Sequence, residues 1–281
     1  MSQTTTTGQA LTTRRGDAAH RWRGADIRPL PASDRLAIGA DQAGRHRAAT
    51  HCLVTVDITI ARGLIAASGA GLSFTAFAVA SVARTAAEHP EVHAYRDWRG
   101  RRVTHRHVDL TVPVEVRTRN GRFAAAHVLR DADIRDVEDI SAELRAVKEG
   151  RLHSDGAGIA TRFPPLLRVP GVVRGICTVL DRSVRARQRT GTVAVTTIAG
   201  PAAWGGGFGI VPLALMPLQV VIGGIGRHRH ISGHLIDWHE MLDLTVTFDR
   251  RLVADASAAE FVARLRSVVE KAEVLPQRWP S

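Results

Sequence analysis

Chemistry in this chain has to come from a small set of side chains. One group is the run Asp249-Arg250-Arg251, a carboxylate and two guanidinium groups in succession. Arginine stays protonated in water, so neither guanidinium can act as a general base, although either can hold an anion. Histidine is the side chain suited to proton transfer near neutral pH, and the chain has 13. Four of them, His228, His230, His234 and His239, crowd between residues 227 and 240 with a spacing that suggests a metal. No carboxylate or cysteine pairing supports one, so solvated histidines in a link are expected there, and no metal. The run Trp204–Gly209, WGGGFG, lacks the GxxxxGK[ST] pattern of a phosphate-binding loop. Cys52 and Cys177 lie far apart and imply no disulfide framework.

Composition narrows the classes. With 281 residues and 44% hydrophobic content the chain can bury one sizeable core, or two modest ones. Its formal charge is +11, and only Lys148 and Lys271 among its 38 basic residues are lysines. No Lys-rich tract alternates with aromatics and no zinc spacing occurs, which argues against nucleic acid. An acidic ligand, such as the phosphates of coenzyme A or an acyl-carrier protein, suits the charge; so does a genome biased toward Arg codons. No apolar run approaches the roughly 20 residues of a membrane span, and the Thr-rich N-terminus does not read as a signal peptide. The expectation is a cytoplasmic protein with little membrane contact.

The best-defined elements lie near the C-terminus. Leu242, Leu244, Val246 and Phe248 alternate with Asp243, Thr245, Thr247 and Asp249, the period of a half-buried strand. After the charged turn, Phe261, Val262, Leu265, Val268 and Val269 mark one face of a helix. Upstream, residues 1–26 read as a flexible tail and residues 50–60 as a strand. Residues 72–89 read as an Ala-rich helix with Ser73 as N-cap, ended by Pro90. Residues 93–130 read as strands, with Asn120-Gly121 as a hairpin turn. A helix over 134–149 is expected, capped by Asp133, with Ile134 inward and Gly150 as its stop. The basic stretch 162–189 reads as an extra helix or helical hairpin, and 210–226 as a loop entering a strand.

The strand, charged turn and helix together resemble the end of the acyltransferase (E2) catalytic domain of 2-oxoacid dehydrogenase complexes, which shares its fold with chloramphenicol acetyltransferase. That family's turn reads DHRxxDG. Asp249, Arg251, Ala256, Ala258, Ala259 and Phe261 fall in its register, while Arg250 stands at the His, Ala254 at the second Asp and Asp255 at the Gly. Further matches run along residues 27–270. They include "HPEVHAYRD" against "HPEVNASWD", with His93 at the Asn, and "GTVAVTTIAG" against "GTFTISNLGMFG". His51 matches the His of "PHVTxxxEVDVT", and Arg35 the Arg of "MRKAIA".

The resemblance implies an α/β fold, a chloramphenicol acetyltransferase-like two-layer sandwich with a mixed sheet and helices on one side. It implies a catalytic domain over 27–281, and a homotrimer whose sites lie between subunits. Thr196 falls at the family Ser, whose hydroxyl binds the oxyanion of the tetrahedral intermediate. Asp249 and Arg250 occupy the positions beside and at the family base. His127, at a Pro that borders the coenzyme A channel, is a candidate substitute base. Arg251, Asp255 and Arg35 would support the turn; Thr197, Gly200, His93 and His51 would line the channel. The plain alternative for Thr196 is a buried strand threonine, and for His51 and His127 a structural histidine. The tail is too short for a lipoyl domain, which favours acyl-CoA or an acyl-carrier protein as co-substrate, with no covalently bound cofactor.

Three functions follow from that resemblance. One is an acyltransferase that O-acetylates a small-molecule intermediate of specialised metabolism, such as a tetronate or polyketide. A second is a degenerate trimeric scaffold or binding protein. The third is a cyclase or lyase built on the same pocket.

Overall fold

The computed structural model describes residues 38, 48–68, 71–118, 121–152, 171–198, 209–212, 216–232 and 235–276. Arg35, Gly200, the segment 1–26 and most of the glycine-rich run lie outside the described residues. The elements follow in order as β1 (Ala49–Asp57), α1 (Thr59–Ala67), α2 (Phe74–Glu88), a 3-10 turn (Pro90–His93), β2 (Tyr95–Arg96), β3 (Arg102–Val103), β4 (Leu110–Thr118), β5 (Gly121–Leu129), α3 (Val137–Lys148), α4 (Val172–Arg182), α5 (Val184–Thr190), β6 (Val193–Thr197), β7 (Leu218–Ser232), β8 (Leu235–Asp249) and α6 (Asp255–Glu270).

Six strands form one mixed sheet in the order β1-β8-β7-β6-β4-β5, and β2 pairs with β3 in a separate ribbon. β6 runs parallel to both β4 and β7; the other pairings are antiparallel. Alternation along the strands sorts side chains onto two faces. Val56, Leu244, Val246, Phe248, Val220, Ile222, Val193, Val195, Leu110 and Val112 point to one face and are buried there. On that face α3 packs on β4, α6 packs on β1, and α2 lies between α3 and α6. α2 is buried nearly all round, which its run of alanines permits. Phe261 of α6 meets Phe248 of β8 edge to face at 5.6 Å between ring centroids, a contact worth about 1 kcal/mol beyond area burial.

The fold corrects three expectations. The first strand stops at Asp57 rather than running to residue 60. The Asp57 carboxylate accepts from the Thr59 backbone N–H at 2.8 Å, turns the chain and starts α1. Asp133 does not cap the next helix: it accepts from Val108 N at 2.8 Å, Asp136 holds the N-cap position of α3, and Ile134 is exposed. The third correction concerns the link expected over 227–240: its described residues lie in strands, while His234 lies outside the described residues. Arg227 opposes Glu240 and His228 opposes His239 in the outer arms of the β7–β8 hairpin. A register shift between Ile222 and Ile225 falls on Gly223 and Gly224 and marks where these arms leave the main sheet.

His239 bonds the Asp57 carboxylate across strands, and that bond holds its pKa above the ordinary histidine value. Among the described residues no cluster of three His, Cys, Asp or Glu could hold a metal, and no helix is long and apolar enough to cross a membrane. The basic stretch supplies α4 and α5, which sit beside β2, with the Arg182 guanidinium 5.8 Å from the Trp98 ring.

Candidate active site

The turn after β8 is built by Asp249. Its side-chain Oδ1 accepts from Arg251 N at 3.0 Å, and its carbonyl accepts from Leu252 N and Val253 N, each at 3.0 Å. Arg250 N donates to Ala48 O at 2.8 Å, so the turn is tied to the start of β1. A guanidinium nitrogen of Arg102, from β3, donates to Leu252 O at 2.7 Å and braces it from the other side. Local hydrogen bonding therefore fixes the backbone, and the side chains of Arg250 and Arg251 are left exposed. Asp255 is the first residue of α6. Burial, and then its carboxylate, push the Cys52 thiol pKa up; burial does the same for Cys177. Neither cysteine is poised as a thiolate nucleophile.

Thr196 lies on the face that the helices leave free. Its register partner on β7 is Val221, which in turn opposes Thr245 on β8, and Thr245 opposes Leu53 on β1. These four form one transverse row. The next row holds Ala194, Gln219, Thr247 and His51. Thr196 is half-buried, while Leu53 at the open edge is 72% exposed. His51 Nδ1 lies 2.8 Å from Thr247 Oγ1, so His51 makes a strand-to-strand hydrogen bond on this face. Thr197, next along the strand, points to the helical side.

Within one copy Thr196 and Arg250 do not meet. Arg250 lies five residues beyond Thr245, and Thr245 is two strands from Thr196. Strand geometry makes that roughly 17 Å along the sheet and roughly 10 Å across it.

His127 is further still from the turn. It sits on β5, at the opposite edge of the sheet from β1, and faces the helices. Its Nε2 lies 2.7 Å from Glu143 Oε1, and Arg135 holds the other Glu143 oxygen at 2.6 Å. Its Nδ1 is buried with no partner among the described residues.

His93 is 1% exposed, with Nδ1 2.9 Å from Thr192 Oγ1. Burial pushes its pKa down to about 4. The unfolded chain takes up a proton near the ordinary histidine value of about 6.5, whereas the folded one resists until about pH 4. Falling pH across that window therefore favours the unfolded chain, by about 3 kcal/mol over the full span. Denaturation at pH 7 and at pH 4.5 should show the loss, and His93→Asn, which keeps a hydrogen-bonding group near the Nδ1 position, should remove most of the slope. An identical slope in the variant would assign the acid sensitivity to other groups.

Residue types alone did not mark Gln219, Thr245 and Thr247 as candidates for a site on this face. The signal was present: Asp243, Thr245, Thr247 and Asp249 put four polar residues on one side of a strand whose other side is wholly apolar.

No protein-family model matches the chain, and no curated protein matches it. Its similarity is to solved structures. The dihydrolipoamide acetyltransferase of Azotobacter vinelandii aligns with a TM-score of 0.65 at 16% identity, over 90% of this chain and 96% of that one. The cubic core of a pyruvate dehydrogenase multienzyme complex aligns with a TM-score of 0.64 at 15% identity, over 90% and 96%. A probable dihydrolipoamide acetyltransferase of Listeria monocytogenes aligns at 0.62 and 16%, over 92% and 99%. At such identities the likeness establishes the architecture, which is that of the acyltransferase catalytic cores of 2-oxoacid dehydrogenase complexes.

Proposed function

We propose that this protein is an acyltransferase that draws its acyl group from acyl-CoA or an acyl-carrier protein and passes it to a hydroxyl of a small molecule. The observation that carries this reading is the position of Thr196, half-buried on the helix-free face of an acetyltransferase-type core. A hydroxyl fixed there can donate to a carbonyl oxygen as negative charge develops on it. The separation of Thr196 from Arg250 within one copy supports a homotrimer, in which the turn of one subunit meets the sheet of its neighbour.

Arg250 sets the chemistry apart. In the Azotobacter vinelandii enzyme a serine, a histidine and an asparagine have been probed for roles in the catalytic mechanism. Here a permanently charged side chain stands at the position of the family base, so either another histidine takes the proton or the acceptor is acidic enough to need no base. An acidic hydroxyl, such as that of an enol, loses its proton without a strong base, and Arg250 would hold the resulting anion. Acylation of such an intermediate in specialised metabolism, in the cytoplasm, fits these requirements. The same arginine favours a second reading, a trimeric scaffold that binds ligand without turnover.

The deciding experiment combines solution mass, calorimetry with acetyl-CoA and CoA, and thiol release from acetyl-CoA in the presence of enolic and alcoholic acceptors. Micromolar binding by a species of three times 30.4 kDa, with thiol release that depends on the acceptor, is the expected result. Binding without release from any acceptor would favour the scaffold, and no binding would sink the donor assignment.

Arg250→His is expected to restore a base. With an ordinary alcohol as acceptor, thiol release should rise by about 100-fold, the lower range for general-base catalysis. It should also gain a pH dependence that rises through about 6.5, because the imidazole works only when neutral. A flat, unchanged rate with acetyl-CoA still bound would mean that the pocket no longer admits such acceptors.

A further inference from the structure

The basic stretch has no part in acyl transfer, and it folds on the surface. On α4, Val172, Ile176, Val179 and Leu180 recur at helical spacing and form an apolar stripe. The stripes of α3 and α6 are buried. On α4, Val179 is 49% exposed and the other three are only half-buried. With 11 residues, α4 is too short to cross a bilayer.

Positive charge surrounds the stripe. Arg182 ends α4, and Arg185 and Arg189 lie one turn apart on α5, on the side opposite the buried Arg187. Arg96 and Arg99 flank Trp98 in the β2–β3 ribbon. Trp98 is itself 55% exposed, with Arg182 stacked over its ring. All five of these arginines are exposed. Residues 95–103 and 172–190 together hold nine arginines and two carboxylates. Both carboxylates are already neutralised from within: Arg101 lies 2.7 Å from Asp97, and Arg187 lies 2.8 Å from Asp181. The charge left facing outward is therefore all of one sign.

The unit is firmly held. The Arg187 guanidinium lies 5.8 Å from the Tyr95 ring and ties α5 to the ribbon. The Ser183 hydroxyl accepts from Ala186 N at 3.3 Å and caps α5, and Arg130 donates to Arg189 O at 2.8 Å. Stripe, indole and guanidinium groups are thus presented together.

We infer that α4, α5 and the ribbon around Trp98 dock on an anionic phospholipid surface, an inference independent of the acyl-transfer reading. A helix with an apolar stripe and arginines beside it lies in the plane of the membrane interface, with the stripe at the acyl boundary. Tryptophan favours the headgroup level. Guanidinium groups meet phosphate oxygens with paired N–H donors while their stems lie along the apolar layer. An acidic protein would satisfy the charge as well. Interfaces between proteins, however, deplete charge at their apolar core and pack it as densely as an interior. Guanidinium groups directly beside the stripe suit a fluid apolar layer capped by phosphates.

The test uses the full chain and sedimentation with vesicles of phosphatidylglycerol and phosphatidylcholine in equal parts, or of phosphatidylcholine alone. Wild type should partition onto the mixed vesicles at least about tenfold more strongly than onto phosphatidylcholine. Arg185→Gln combined with Arg189→Gln should weaken that binding by about 25-fold, at about fivefold per charge. Val179→Asn and Trp98→Ala keep the net charge, and each should weaken it by about tenfold through lost apolar insertion. Arg227→Gln combined with Arg229→Gln, on the outer β7–β8 arms, removes the same charge elsewhere and should cost less than about threefold. All these positions are exposed, so none of the variants should melt more than about 2 °C below wild type.

An equal loss for the β7–β8 pair would reduce the binding to diffuse attraction of a basic protein and overturn the assignment to this surface. Full binding by both Val179→Asn and Trp98→Ala would show that nothing apolar enters the bilayer, and the docking geometry would fall. A Val179→Asn protein that melts several degrees lower would mean that the stripe is packed against another copy or the chain itself. Wild type that stays off the mixed vesicles would end the lipid proposal and leave an acidic protein as the occupant.

Discussion

Thr196→Ala should lower the rate of acyl transfer by about 100- to 1,000-fold while leaving the affinity for acetyl-CoA within about twofold, the pattern seen when a single oxyanion donor is lost. The reasoning is geometric. Thr196 is half-buried near the end of β6, on a strand held on both sides by parallel partners, β4 and β7. Its β-branched side chain has few rotamers, so its hydroxyl is oriented before substrate arrives. A donor oriented in advance strengthens as the carbonyl oxygen gains charge, and it contributes little to the ground state. The loss should therefore fall on kcat and not on KM. Thr196→Ser keeps the hydroxyl with a freer rotor and should retain activity within about tenfold of wild type. Single-turnover thiol release, with binding measured separately, reads both parameters. Wild-type turnover in Thr196→Ala would exclude its hydroxyl from the reaction and move the chemistry to another part of the face.

That expectation depends on which features the sequence can specify. The period of two over residues 242–248 places apolar side chains under the helices and polar ones on the opposite face. The observed strand β8 does both. The helix after the turn is equally plain, because Phe261, Leu265, Val268 and Val269 recur at helical spacing, and all four are buried. Local chemistry misled where two signals competed. Ile58 and Ile60 continue the apolar alternation of β1, yet the Asp57 carboxylate captures the Thr59 N–H and converts the chain to a helix. Asp133 looks like a cap by its place before an apolar run, but its carboxylate serves Val108, 25 residues away, a tertiary partner that no local pattern announces.

The candidate site could be proposed one residue at a time and not as an arrangement. Thr196, Asp249 and Arg250 could be picked out by register against a family motif. Their separation, which the resemblance implied by placing the site between subunits, follows in space from strand order, with β6 two strands from β8. Gln219 and Thr245 escaped for a different reason. A lone Gln or Thr within a strand looks like any solvated position, and what distinguishes these two is burial without a partner among the described residues, a property of packing. His93 shows the converse. Its motif position suggested a channel, while its burial and its bond to Thr192 place it within the packed core.

Gly191→Ala should destabilise the protein by about 3 to 5 kcal/mol, a substantial part of the roughly 5 to 15 kcal/mol available to a folded domain. Gly191 joins α5 to β6, with φ +75° and ψ 177°. That conformation is essentially reserved for glycine and costs other residues about 1 to 3 kcal/mol. Space adds a second penalty. A Cβ at this position would lie 2.4 Å from Asp109 O, 2.8 Å from Asp109 C and 3.3 Å from Leu110 N. These are backbone atoms at the start of β4, so no side chain can swing away to make room.

The neighbouring bonds prevent the backbone from yielding. Thr192 N donates to Asp109 O at 3.2 Å, Gly191 N donates to Arg187 O at 2.8 Å, and Arg130 holds the Asp109 carboxylate at 2.7 Å. Register between β4 and β6 rests on only two pairs, Leu110 with Val193 and Thr111 with Ala194, so a small displacement of Asp109 would part the strands and carry Thr196 with them. The expected readout is a melting temperature lower by roughly 6 to 20 °C at equal protein concentration, given roughly 2 to 4 °C per kcal/mol for a domain of this size. Acyl transfer, measured below the new melting temperature, should fall as well, because the strand that positions the hydroxyl has moved. A variant that melts within about 2 °C of wild type would show that β4 and β6 can separate freely, and the claim that a rigid β6 orients Thr196 would have to be abandoned.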